Sequence, residues 1–158
     1  MSDPTQDALP DDPPDDPPDA VKPTDAGKRP DTVATPFERL GGEPAVRALV
    51  DRFYDLMGPE PALAGIRALH PTSLGGSRDK LHWFLCCWLG GPNHCVDQFG
   101  HPMLRARHLP FAIGIRERDQ WLACMGQAMT DQAVEPALAQ RLAESFFGTA
   151  DWMRNKGD

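Results

Sequence analysis

From residue 36 to residue 154 the apolar positions recur with a helical period, and nowhere do apolar and polar residues alternate as in a strand. The first ordered signal is Thr35-Pro36-Phe37-Glu38: an N-cap hydroxyl, a proline at the first helical position and a glutamate three residues after the cap. Gly41-Gly42 predicts a stop after about one turn. Glu43-Pro44 opens a longer helix whose Val46, Leu49, Val50, Phe53, Tyr54 and Met57 make one continuous stripe ending at Gly58-Pro59. Pro59 to His70 reads as an irregular connection with a short helical turn, closed by His70-Pro71. The next helix begins between Thr72 and Ser77, buries Leu81, Phe84, Leu85, Trp88 and Leu89, and stops at Gly90-Gly91-Pro92. A loop through Gly100 leads to a one-turn helix ending near His108. A helix over residues 116–131 then carries Trp121, Cys124, Met125, Ala128 and Met129 in register. The last, from Pro136 to Arg154, turns Leu138, Leu142, Phe146 and Trp152 inward. The pattern predicts an all-α fold of four principal helices and short connectors.

The one-turn helix carries the most specific chemistry. Pro102 suits a first turn, where a missing N–H costs nothing, and Pro110 disfavours helical geometry at Leu109, so the helix stops at or near His108. With Leu104 four residues earlier, the His108 imidazole can give one N–H to that turn's carbonyl and keep the other nitrogen for a metal. For a lone histidine the bland alternative is a satisfied core or surface residue. The surroundings decide between the two.

Composition bounds the rest. At 158 residues the chain is long enough for one domain with a real core. Of its net charge of −7, residues 1–35 carry −6, from nine Asp against Lys22, Lys28 and Arg29. The remainder is near neutral and gives no electrostatic case for nucleic acid or an anionic membrane. Residues 1–35, rich in Asp and Pro, bury too little apolar surface to offset their ordering entropy and are expected to stay disordered, with 36–158 as the folded domain. With no leader-like start and no membrane-length apolar run, the expected location is cytoplasmic. Cys86, Cys87, Cys95 and Cys124 lack a disulfide-scaffold spacing and are expected as free thiols.

Three chemistries follow. Zinc held by Cys86, Cys87, His94 and Cys95 lacks the spaced pairs of structural sites, since neighbouring helical cysteines point about 100° apart. A nucleophilic cysteine lacks anything to lower its pKa in this Trp-rich context. The third is haem held by one histidine among Phe, Leu, Met and Trp, with polar groups opposite that address a ligand.

The motifs Leu40-Gly-Gly42, Asp51-Arg-Phe-Tyr54, Trp88-Leu-Gly-Gly-Pro92, Gly100-His-Pro102, Leu104-Arg-Ala-Arg-His-Leu-Pro-Phe111, Glu117-Arg-Asp-Gln-Trp121 and Ala150-Asp-Trp-Met-Arg-Asn155 occur in this order across nearly all of the folded part. In this the chain resembles the truncated haemoglobins, and within them group II, related to mycobacterial truncated haemoglobin O. The resemblance implies a globin-like two-over-two helical sandwich around one haem b, with His108 as the proximal iron ligand. It puts Tyr54 at the distal tyrosine and Trp121 at the tryptophan whose indole N–H enters the distal pocket. His70 falls where relatives carry tyrosine, phenylalanine or histidine. Ser77, Leu81 and Phe84 line the distal helix, with Ser77 where many other globins have histidine.

The chain also departs from the family pattern. Met103 stands where relatives often have arginine, leaving Arg105 and Arg107 as haem-propionate candidates, and Asn93-His94-Cys95 replaces a tyrosine-bearing segment. The implied function is binding of O2, and of NO and CO, for storage, delivery or sensing. The alternative is a haem enzyme, a peroxidase or an NO dioxygenase served by a reductase partner, and a homodimer is a further expectation.

Overall fold

Helix α1 (Pro36–Leu40) starts on the cap the sequence carries. Thr35 Oγ1 accepts the Glu38 N–H at 3.1 Å, and the Glu38 carboxylate accepts the Thr35 N–H at 2.9 Å. Gly41, at φ 121°, ends the helix in a conformation that a side chain would strain. The Phe37 N–H donates to the Leu89 carbonyl at 2.9 Å, and a Cβ at Gly91 would lie 2.6 Å from the Phe37 ring. The glycine pair after Leu89 therefore lets α1 dock closely. Thr35 is itself buried, so Thr35→Ala is expected to lower stability by about 1 kcal/mol in urea unfolding, the usual worth of an N-cap.

This computed structural model describes residues 33–91 and 103–157. The acidic segment up to residue 32, Asn93-His94-Cys95 and Gly100-His-Pro102 lie outside the described residues. After α1 come α2 (Glu43–Met57), a 3-10 turn (Pro61–Leu63), α3 (Ala64–Ala68), α4 (Gly75–Trp88), α5 (Leu104–His108), α6 (Ile115–Asp131) and α7 (Pro136–Trp152). There is no strand among the described residues, and no described helix is long and apolar enough to cross a membrane.

Helix α2 packs on both α4 and α6, and α6 packs on α7, so the α2/α4 pair lies over the α6/α7 pair in a two-over-two helical sandwich. Val46, Leu49, Val50, Phe53 and Met57 of α2 are wholly buried and form the centre of the core with Leu85, Cys124, Met125, Ala128 and Leu138. Each large apolar side chain buried this way contributes about 1.5–3 kcal/mol against exposure. The α2 stripe is therefore what joins the two helix pairs.

Three details differ from the sequence expectation. On α4 the buried residues are His82, Leu85, Cys86 and Cys87, while Leu81, Phe84 and Trp88 are only half-buried. Helix α4 is apolar on two faces, one turned to α2 and the other toward the interior described below. At the end of α7, Trp152 is half-buried and Met153, one residue on, is buried in its place. Of the thiols, Cys86 and Cys124 are free and buried, whereas Cys87 is disulfide-bonded.

Candidate functional site

Helix α5 is one turn long and has no buried residue. Its N-cap, Met103, adopts a left-handed φ of 36° and is half exposed. His108, half-buried at its end, donates Nδ1–H to the Leu104 carbonyl at 2.6 Å. That bond follows from the four-residue spacing. It fixes the tautomer, since a neutral ring that donates through Nδ1 presents the lone pair of Nε2.

Tyr54 enters from α2. Its ring is buried, edge-on to Phe53 at 5.0 Å and to His70 at 5.6 Å, with the Arg78 guanidinium 5.7 Å above it. Burial pushes the phenol well above its ordinary pKa, with Arg78 opposing, so the hydroxyl remains a donor. His70 follows α3, which is fixed to α6 by the Ile66 N–H donating to Gln120 Oε1 at 2.9 Å. Its Nδ1–H donates to the Ile66 carbonyl at 2.8 Å, and Arg67 donates to the carbonyls of His70, Pro71 and Thr72. Burial lowers the imidazole pKa from its ordinary value, with the hydrogen bond to the Ile66 carbonyl opposing and the Arg67 charge adding to it. His70 is thus a neutral ring at pH 7.

Trp121 enters from α6 with its ring 5.3 Å from both Phe53 and Phe146. Phe146 stacks on Trp88 at 4.9 Å, and Trp88 on Phe84 at 6.4 Å. From His70 through Tyr54, Phe53, Trp121, Phe146 and Trp88 to Phe84, one unbroken row of rings joins all four principal helices. The structure thereby sets His70 against Tyr54 and links both to Trp121 through Phe53, with Phe84 at the far end of the row. Ser77 and Leu81 sit half-buried two turns and one turn before Phe84 on the same face of α4. Among the described residues, neither the Tyr54 hydroxyl nor the Trp121 indole N–H has a hydrogen-bond acceptor. On α7, three residues after Phe146, the buried Thr149 hydroxyl likewise has no partner.

The arginine candidates separate. Arg105 donates to the Trp152 carbonyl at 2.7 Å and the Arg154 carbonyl at 3.3 Å, with its guanidinium 5.7 Å over the Trp152 ring. It closes the end of α7. Arg107 is exposed on α5. Three partners were not read from the sequence: Arg78, Gln120 and Asn155, the last of which donates to the His108 and Phe111 carbonyls. Each contact spans more than 20 residues of sequence, which no local pattern encodes.

The donor set discriminates between metals. Among the described residues no three His, Cys, Asp or Glu converge to hold a bare ion. A single imidazole holds a metal only where a chelating ring supplies the remaining ligands. An aromatic wall with one imidazole on α5, and unpartnered hydroxyl and indole donors elsewhere in the interior, fits a flat, apolar chelate with a small polar ligand. It does not fit thiol catalysis, because burial raises the Cys86 thiol to about 11.

The bacterial-like globin family model matches residues 35–155. The group 2 truncated hemoglobin YjbI of Bacillus subtilis (strain 168) is 38% identical over 121 residues, which is 77% of this chain and 89% of that protein. Among solved structures, the group II 2-on-2 hemoglobin from the plant pathogen Agrobacterium tumefaciens matches with a TM-score of 0.77 at 40% identity, covering 82% of this chain and 100% of its own. The truncated oxygen-avid haemoglobin from Bacillus subtilis matches with a TM-score of 0.71 at 38% identity, covering 77% and 100%.

Proposed function

The chain belongs to the bacterial-like globin family, as a group II truncated haemoglobin, and from that premise we propose that it binds haem b through His108 and takes up O2, with NO and CO as further diatomic ligands. The observation that carries this reading is the unequal state of its polar groups. The His108 ring is locked through Nδ1, whereas two donors in the aromatic interior, on Tyr54 and Trp121, have no acceptor among the described residues.

Haem, when bound, would supply an iron able to take up a diatomic molecule. His108 would hold the iron through Nε2, and the Leu104 carbonyl, by drawing on Nδ1–H, would make that nitrogen a stronger ligand. Tyr54 and Trp121 donate to a ligand that carries partial negative charge, in an interior where low dielectric strengthens each bond. The neutral imidazole of His70 adds a polar group beside Tyr54 without bringing a charge. Phe84, Leu81, Trp88 and Phe146 keep water from the haem face. The Bacillus subtilis relative described as oxygen-avid supports the choice of O2.

Stopped-flow measurement of ligand release tests the proposal. Two donors predict slow O2 dissociation, and a loss of O2 as fast as from a pocket without donors would refute it.

A further inference from the structure

Asn155 spends its backbone N–H and its entire side-chain amide on one short stretch of chain. Its backbone N–H donates to the Ile113 carbonyl at 2.9 Å, and its Oδ1 accepts the Ile113 N–H at 3.0 Å. Its Nδ2 donates to the Phe111 carbonyl at 2.7 Å and the His108 carbonyl at 3.3 Å. The amide orientation is dictated by its neighbours, because two carbonyls face the nitrogen and an N–H faces the oxygen. These bonds span residues 108–113, the turn that leaves α5, where the His108 carbonyl also accepts the Phe111 N–H at 3.0 Å. Packing contributes little to holding α5, none of whose residues is fully buried. What ties it to the globin on the described side is polar: Asn155 at its end, and Arg105 on the carbonyls of Trp152 and Arg154.

We propose that Asn155 is the positioning residue of the proximal histidine: it clamps the turn that leaves His108, so that α5 presents Nε2 at a fixed height and tilt. It thereby sets the strength of the iron–imidazole bond and the rate of haem loss. This rests on the assignment of His108 as the iron ligand. Arg105 is the second tether, acting from the opposite end of the turn.

The test uses the full chain loaded with haem and two variants. Asn155→Asp keeps the shape and the acceptor but turns an oxygen toward two carbonyl oxygens, and Asn155→Ala removes the donors without adding charge. The iron–histidine stretching band of the ferrous, ligand-free protein is read by resonance Raman, and haem loss by transfer to excess apomyoglobin. Both variants are expected to shift or broaden the band and to lose haem about tenfold faster, the worth of one or two hydrogen bonds, with Asp exceeding Ala. In the haem-free protein, amide exchange should quicken at Ile113 and leave the α2 core unchanged, which separates a local clamp from general destabilisation. A parental band and haem loss within about twofold of the parent in the Ala variant would overturn the proposal even if Asn155→Asp did not fold. A parent with no iron–histidine band would overturn the assignment of His108, and the clamp's purpose with it.

Discussion

His108→Ala is expected to abolish stoichiometric haem uptake and, with it, the rise in melting temperature that haem confers. The only other described imidazole among the site residues, that of His70, is tied to the Ile66 carbonyl and packed against Tyr54, so it does not take over the position on α5. A ligand that binds only the folded state stabilises it by mass action, about 4 kcal/mol when present at a thousand times its dissociation constant. Losing the axial bond removes most of that term. The check is a haemin titration followed at the Soret band, with thermal melting before and after loading. An unchanged band and an unchanged melt in the variant would refute the assignment.

The second large effect is expected from Trp121→Phe. Phenylalanine keeps the ring contacts with Phe53 and Phe146, both at 5.3 Å, and removes only the N–H. A donor to a ligand with partial negative charge is worth roughly 1.5–3 kcal/mol, which corresponds to about a ten- to hundredfold faster O2 release if association is little changed. CO, a poorer acceptor, should leave at nearly the parental rate. Flash photolysis or ligand replacement measures both. Equal O2 dissociation in parent and variant would reduce Trp121 to packing.

The helices were legible in the sequence because their signals are local. The Thr35 cap, the α2 stripe and the glycine stops each act within a few residues, as does the His108–Leu104 hydrogen bond, a four-residue relation inside one turn. The two apolar faces of α4 were not separable, since Leu81 and Leu85 are equally apolar and only the fold decides that Leu85 is buried while Leu81 stays half-buried. The same holds for the arginines near α5. Arg105 and Arg107 look alike as anion-binding candidates, and nothing local tells that Arg105 reaches the carbonyls of Trp152 and Arg154. Asn155 is the clearest case: its partners lie 42 to 47 residues away. The distal roles proposed for Tyr54 and Trp121 come from the resemblance to truncated haemoglobins, since helical periodicity alone marks both as core.

The central claim is that this chain is a haem protein with His108 on one side of the iron and hydrogen-bond donors on the other. Its most direct test is the absorption spectrum of the purified protein in the ferric, ferrous and CO-bound forms. The account predicts one haem per chain, a Soret band that moves on reduction and again on CO, and a CO form with the signature of an imidazole opposite the ligand. A protein that binds no haem after equimolar haemin, or whose CO form lacks that imidazole signature, would contradict it.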